Sequence, residues 1–178
     1  MNIARIRQLL LLTSMTLFGH STANADDLSY EAYLDRKDSP LRCWYASIAY
    51  KAGDHLNANQ MWNDCLKSDE RRAYAYLWLG FAHYNGHGTE QDKRVAVDYW
   101  HQAAKEEDAA GFHALAKYHY GMALLRGDGV PQNSTVAMDW LKRSADAGEI
   151  AAREMLQSLE NPNSPPFASN VSKQPITK

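Results

Sequence analysis

The sequence is poor in the features that mark most catalytic, nucleic-acid-binding and membrane-spanning chains. In 178 residues there are two cysteines and six prolines, and basic residues number 19 against 21 acidic. A chain without a positive excess lacks the electrostatic footprint expected of a nucleic-acid or anionic-membrane partner. Gly-x-Ser-x-Gly, His-Glu-x-x-His, Cys-x-x-Cys and a phosphate-cradling glycine loop after a strand are all absent. Their absence removes the usual motif-borne routes to acyl transfer, zinc hydrolysis, thiol redox chemistry and nucleotide binding, so the chain is expected not to be an enzyme and to need no cofactor or metal. No candidate catalytic residue stands out. Long apolar runs are also missing: Leu9 to Phe18 falls well short of the roughly 20 residues that a membrane-spanning helix needs.

That short run instead belongs to a different pattern. Arg5 and Arg7 precede it, and Ala23-Asn24-Ala25 follows as a small-x-small cleavage site, so residues 1–25 read as a secretory signal peptide and the mature chain is expected to begin at Asp26. Cleavage leaves 17 basic against 21 acidic residues, a formal charge of −4. Both cysteines, Cys43 and Cys65, lie in the exported part, where an oxidising compartment favours a disulfide over a metal or redox role. They are equidistant from Gly53-Asp54, the best turn signal between them, as two facing residues of an antiparallel helix pair would be. Two buried free thiols are the alternative.

What the chain does have is one motif written twice at a spacing of 41 residues. Ala75, Gly80, Ala82, Gly86, Gly88, Gln91, Val95, Ala96, Asp98 and Ala104 recur as Ala116, Gly121, Ala123, Gly127, Gly129, Gln132, Val136, Ala137, Asp139 and Ala145. Ordinary residue usage would give roughly two or three such identities by chance. Self-similarity at this period marks a solenoid built from one supersecondary unit. Each copy reads as two helices around a Gly-x-Gly turn: Tyr74 to Asn85 and a second helix capped by Asp92, then Ala109 to Arg126 and a second helix capped by Asn133 and ended by Gly148.

The flanks follow from the same reading. Residues 26–39 form an N-terminal segment that would lie as a lid on the first repeat. Residues 40–67, with Ser39-Pro40 as a helix start and Asp54 as a cap, form a divergent, disulfide-stapled helix pair without the Gly-x-Gly turn. Full repeats occupy 71–107 and 108–148, residues 149–160 make a capping helix, and 161–178, rich in Asn, Pro and Ser, read as a disordered tail.

Ala75-x3-Leu79-Gly80, Gly86-x-Gly88, Asp92 and Ala96-x3-Trp100-x2-Ala103-Ala104 resemble the Sel1-like repeat, a relative of the tetratricopeptide repeat. Ala116-x3-Tyr120-Gly121, Gly127-x-Gly129-Val130, Ala137 and Ala145-x2-Gly148 resemble a second copy. The resemblance implies an all-α, right-handed solenoid of antiparallel helix pairs, and a periplasmic protein-protein interaction adaptor. It also implies two alternatives, an immunity protein that neutralises a secreted toxic effector such as a phospholipase, and, more remotely, a β-lactamase-like hydrolase, for which the sequence has no Ser-x-x-Lys. The partner would be another protein, from the envelope, a sensor or an effector, and the chain would be monomeric in isolation. In tetratricopeptide-like units the ligand lies in the concave groove of the first helices. By alignment that groove would hold Trp44, Tyr74, Leu77, Phe81, Tyr84, Tyr118, Met122 and Leu125, with Leu41, Ile48 and Leu115 beside them. The same spacing of three and four also fits residues that only join neighbouring repeats. Of the six histidines beyond the signal, His83 and His87 are the best metal-like pair, but Gly86 ends the helix between them.

Overall fold

A computed structural model describes Leu34 and residues 41–67 and 71–161; the expected signal peptide, most of the N-terminal segment, Ser39-Pro40 and the tail beyond Asn161 lie outside the described residues. Seven helices and no strands occur among them: α1 Arg42–Lys51, α2 His55–Cys65, α3 Arg72–Asn85, α4 Lys93–Lys105, α5 Phe112–Arg126, α6 Ser134–Asp146 and α7 Ile150–Glu160. Each helix packs on the next in sequence, and α3 also packs on α5, so first helices of adjacent pairs touch across the stack. This is an all-α solenoid of antiparallel helix pairs.

Local chemistry sets the boundaries. The Asp92 carboxylate accepts the N–H groups of Arg94 and Val95 at 2.8 and 3.2 Å, and Asn133 accepts that of Val136 at 3.1 Å, the N-caps the repeat alignment predicts. Asp54 does the same for Asn57 at the start of α2. One boundary differs from expectation: α5 begins at Phe112, not Ala109. Gly111, at φ +80°, breaks the backbone, and the Asp108 carboxylate reaches over it to accept the N–H groups of Phe112 and His113. Burial acts to raise the Asp108 pKa, but those backbone hydrogen bonds and the His113 ring outweigh it and hold the carboxyl below its ordinary value.

Within each pair, the close approach of the two helices depends on a missing side chain. A Cβ on Gly80 would stand 2.4 Å from the Trp100 indole, and one on Gly121 would stand 3.1 Å from Leu141 Cγ. The cost of glycine in a helix, about 1 kcal/mol against alanine, is offset by burying Trp100 and Leu141 almost completely. On α7 the corresponding residue is Gln157, and it is exposed. The outer face of α7 therefore does not offer a further helix the same close approach.

Between pairs, the second glycine of each turn meets the backbone of the pair before it. A Cβ on Gly129 would lie 2.3 Å from the Lys93 carbonyl oxygen at the start of α4, and one on Gly88 2.5 Å from the His55 carbonyl carbon at the start of α2. The two junctions are thus the same, and α1–α2 enters the stack as a repeat does despite its divergent sequence. It is stapled by the Cys43–Cys65 disulfide, with Cα atoms 5.8 Å apart, and beside it the buried Arg42 guanidinium lies 2.8 Å from Asp64 Oδ2.

Two measurements check these contacts. Gly129→Ala puts a side chain into fixed backbone at a positive φ and is expected to lose about 3 kcal/mol in urea unfolding. Gly53→Ala, at φ +88° with nothing within 4 Å of the new Cβ, should lose only the conformational cost of about 1 kcal/mol. Equal losses would remove the junction argument. Replacing both cysteines by serine, which opens a crosslink between residues 22 apart, should cost about 3 kcal/mol, measured by the same method on oxidised wild type and variant.

Candidate functional site

Tyr74, Leu77, Phe81 and Tyr84 form one stripe along α3, and the structure divides it. At its N-terminal end α5 crosses directly over it: the Phe112 ring lies 4.6 Å from that of Tyr74, whose hydroxyl donates to Ser47 Oγ at 2.6 Å. Tyr74 and Leu77 are 8 % and 1 % exposed, lie under α5 and do not line the open groove that the alignment predicts for them. Toward the C-terminal ends of α3 and α5 a groove of about 310 Å³ is open, lined by Phe81, Tyr84 and Met122 from the predicted set. Trp44 is 50 % exposed on α1 but does not line it. Tyr118 and Leu125 are half-buried and also stay outside it; Tyr118 feels the charges of Glu149 and Glu154 at α7.

The rest of the lining went unrecognised in the sequence: Asn85, Trp100, His119, Ala123, Arg126 and Asp128. Asn85 and Arg126 are equivalent repeat positions, the last residues of α3 and α5, and both are exposed. Trp100, from α4, is the same indole that seats against Gly80. His119 packs its ring 4.7 Å from Phe81 and 5.2 Å from Trp100.

The repeat alignment shows one difference between the two junctions. The residue equivalent to His119 is Trp78, which stacks on Trp62 at 5.6 Å and also meets Tyr50 at 5.7 Å. A large indole at one junction is matched by a smaller imidazole beside the groove at the next. A comparison of aligned positions for volume, and not only for identity, would have drawn attention to His119.

The electrostatics are asymmetric. Asp128 is held by its neighbours, accepting from the Tyr84 hydroxyl at 2.6 Å and pairing with Lys93 Nζ at 2.7 Å. The hydrogen bond from Lys93 and that from Tyr84 lower the Asp128 pKa, and the same contact raises that of Tyr84. Arg126, by contrast, makes no ion pair among the described residues. Burial, with a smaller effect from Arg126, pushes His119 down from 6.5 to about 4, so its imidazole is neutral at physiological pH.

His83 and His87 do not form a metal site. His83 packs against Tyr99 at 5.4 Å, while His87, turned away by the glycine loop, bonds the Tyr50 hydroxyl at 2.5 Å and stacks on His55. Among the described residues no group of three or more His, Cys, Asp or Glu is placed to hold a metal, and no helix is long and apolar enough to cross a membrane. What the groove offers chemically is an apolar slot, a cation at its rim without an ion pair among the described residues, and one neutral imidazole in its wall.

A helix-pair solenoid of this kind is the architecture on which repeat proteins build extended concave surfaces. A Sel1 repeat family model matches residues 67–108 and 114–149, and this part of the chain consists of Sel1-like repeats. Its fold is similar to that of a Sel1 repeat protein from Oxalobacter formigenes seen in a crystal structure, with a TM-score of 0.56 and 22% sequence identity. That match covers 66% of this chain and 45% of the other, so this chain spans less than half of its structural neighbour. No curated protein shows significant similarity. Sel1 repeats generally mediate protein-protein interaction and are typically non-catalytic.

The His119 assignment has a pH signature. The folded protein holds this proton more weakly than the unfolded chain does, so stability is complete above pH 6.5 and declines as pH falls from 6.5 toward about 4. The loss is expected to reach up to about 3 kcal/mol. Urea unfolding at pH 7 and pH 4.5 should show it in wild type and show much less of it in His119→Gln.

Proposed function

We propose that this chain is an exported protein-binding adaptor of the bacterial envelope, acting in the periplasm and using the groove between α3 and α5 to hold a segment of its partner. The observation that carries this reading is the groove itself. Its aromatic and Met lining is the composition enriched in protein-interface hot spots. At the junction one repeat earlier the residue equivalent to His119 is the larger Trp78, stacked on Trp62. The N-terminal signal pattern and the paired cysteines support export.

The experiment is affinity capture from a periplasmic extract. His119→Trp restores at the second junction the ring found at the first, and should fold while filling the groove; Asn85→Trp adds bulk at the exposed rim without altering the floor. Both are expected to reduce partner retention about thirtyfold or more, the effect of removing one interface anchor, with circular dichroism unchanged. The retained wild-type protein should begin at Asp26. Capture by both folded variants at wild-type affinity would remove the groove as the binding surface. A cytoplasmic, uncleaved product would remove the export reading.

A further inference from the structure

We propose that the groove recognises an acidic segment of its partner in extended form, with a bulky apolar side chain seated between Phe81, Trp100 and Met122 and a nearby Asp or Glu side chain paired to Arg126. This rests on the groove being the binding surface and adds the chemistry of what it takes.

Charge complementarity at short range favours an acidic ligand. Of the charged groups at the groove, Asp128 is engaged by Tyr84 and Lys93, at 2.6 and 2.7 Å, and acts on Arg126 only through space, so Lys93 and Arg126 together leave one positive charge in excess. His119 is neutral. Arg126 alone is exposed and without an ion pair among the described residues. A guanidinium there presents a planar fork suited to a carboxylate, and burial of an apolar neighbour beside it lowers the effective dielectric in which the pair forms. A basic residue at the same place would instead meet an uncompensated cation. The negative charge of the mature chain as a whole does not oppose this, because charges more than about 8–10 Å away are largely screened at physiological ionic strength. The slot of about 310 Å³ admits a large side chain but not a folded element, which favours an extended segment. Arg126 stands at the exposed end of α5, where an Asp or Glu side chain of the segment can reach it.

The test is a ¹⁵N NMR titration of the oxidised mature protein with acetylated, amidated peptides, a method that registers weak binding. The probes are Ser-Gly-Glu-Phe-Asp-Gly-Ser, the same peptide with both acids replaced by lysine, and the same peptide with Phe replaced by alanine. The acidic Phe peptide should give saturable shifts at the Trp100 indole N–H, His119 and Arg126. The lysine and alanine peptides, and the acidic peptide against Arg126→Glu, should each bind about tenfold more weakly or worse. Arg126→Gln, which avoids a new carboxylate beside Asp128, should fall between wild type and Arg126→Glu. Equal binding of the acidic and lysine peptides, or no saturable shifts at these residues, would overturn the proposal. The two readings separate in the capture experiment: a partner lost with Asn85→Trp but retained with Arg126→Glu leaves the groove and removes its acidic ligand, whereas a partner retained by both removes the groove as well.

Discussion

The structure depends on one contact made twice: the turn of each repeat lies against the first turn of the second helix in the pair before it. At Gly129 the approach to the Lys93 carbonyl leaves no room for a Cβ, and at Gly88 the same holds against His55. The residue before each glycine locks the contact from the side. Asp128 binds Tyr84 and Lys93, and His87 binds Tyr50 while its carbonyl accepts from Asn59 at 2.8 Å. Backbone against backbone is a stiff stop, unlike side-chain packing, which can relax around a change in volume. It therefore sets the separation of neighbouring pairs, and everything else in the stack is packed to that separation.

Given that spacing, the two junctions are packed with different rings. The first holds the parallel indoles of Trp62 and Trp78 with Tyr50 beside them. At the second, Trp100 is drawn toward α3 by Gly80, and His119 stands where Trp78 stood. The same scaffold thus carries a larger ring at one junction and a smaller one beside the groove at the next. The exchange also has an electrostatic consequence, since a half-buried imidazole next to Arg126 keeps its charge only at low pH. A titratable ring thus stands at the groove where the preceding repeat has an indole.

Much of this architecture can be read without coordinates. The helix pairs, the glycine turns, the caps at Asp54, Asp92 and Asn133, and the packing need behind Gly80 follow from periodicity and local hydrogen-bonding chemistry, both short-range. The facing positions of Cys43 and Cys65 follow from symmetry about a turn. Less legible was the eight-residue groove prediction. It treated each first helix as exposing its whole apolar stripe, but α5 crosses α3 over Tyr74 and Leu77, so only Phe81, Tyr84 and Met122 line the groove. The helix start at Phe112 was missed for a related reason. Asp108 caps α5 from four residues before Phe112, across Gly111, where a simple count from the first apolar residue looks for its cap next door.

The sequence by itself determined the repeat and its helix pairs and made the staple the favoured pairing, because each is encoded in identities and spacings within about 40 residues of chain. Only the tertiary structure decided which apolar residues are core and which are surface, since that depends on the angle at which helices separated by a full repeat cross. It alone decided that Arg42 is buried on Asp64 and that Arg126 stands free of ion pairs among the described residues. Charge pairing is a matter of distances of a few ångströms between side chains far apart in sequence, and no periodicity carries that information.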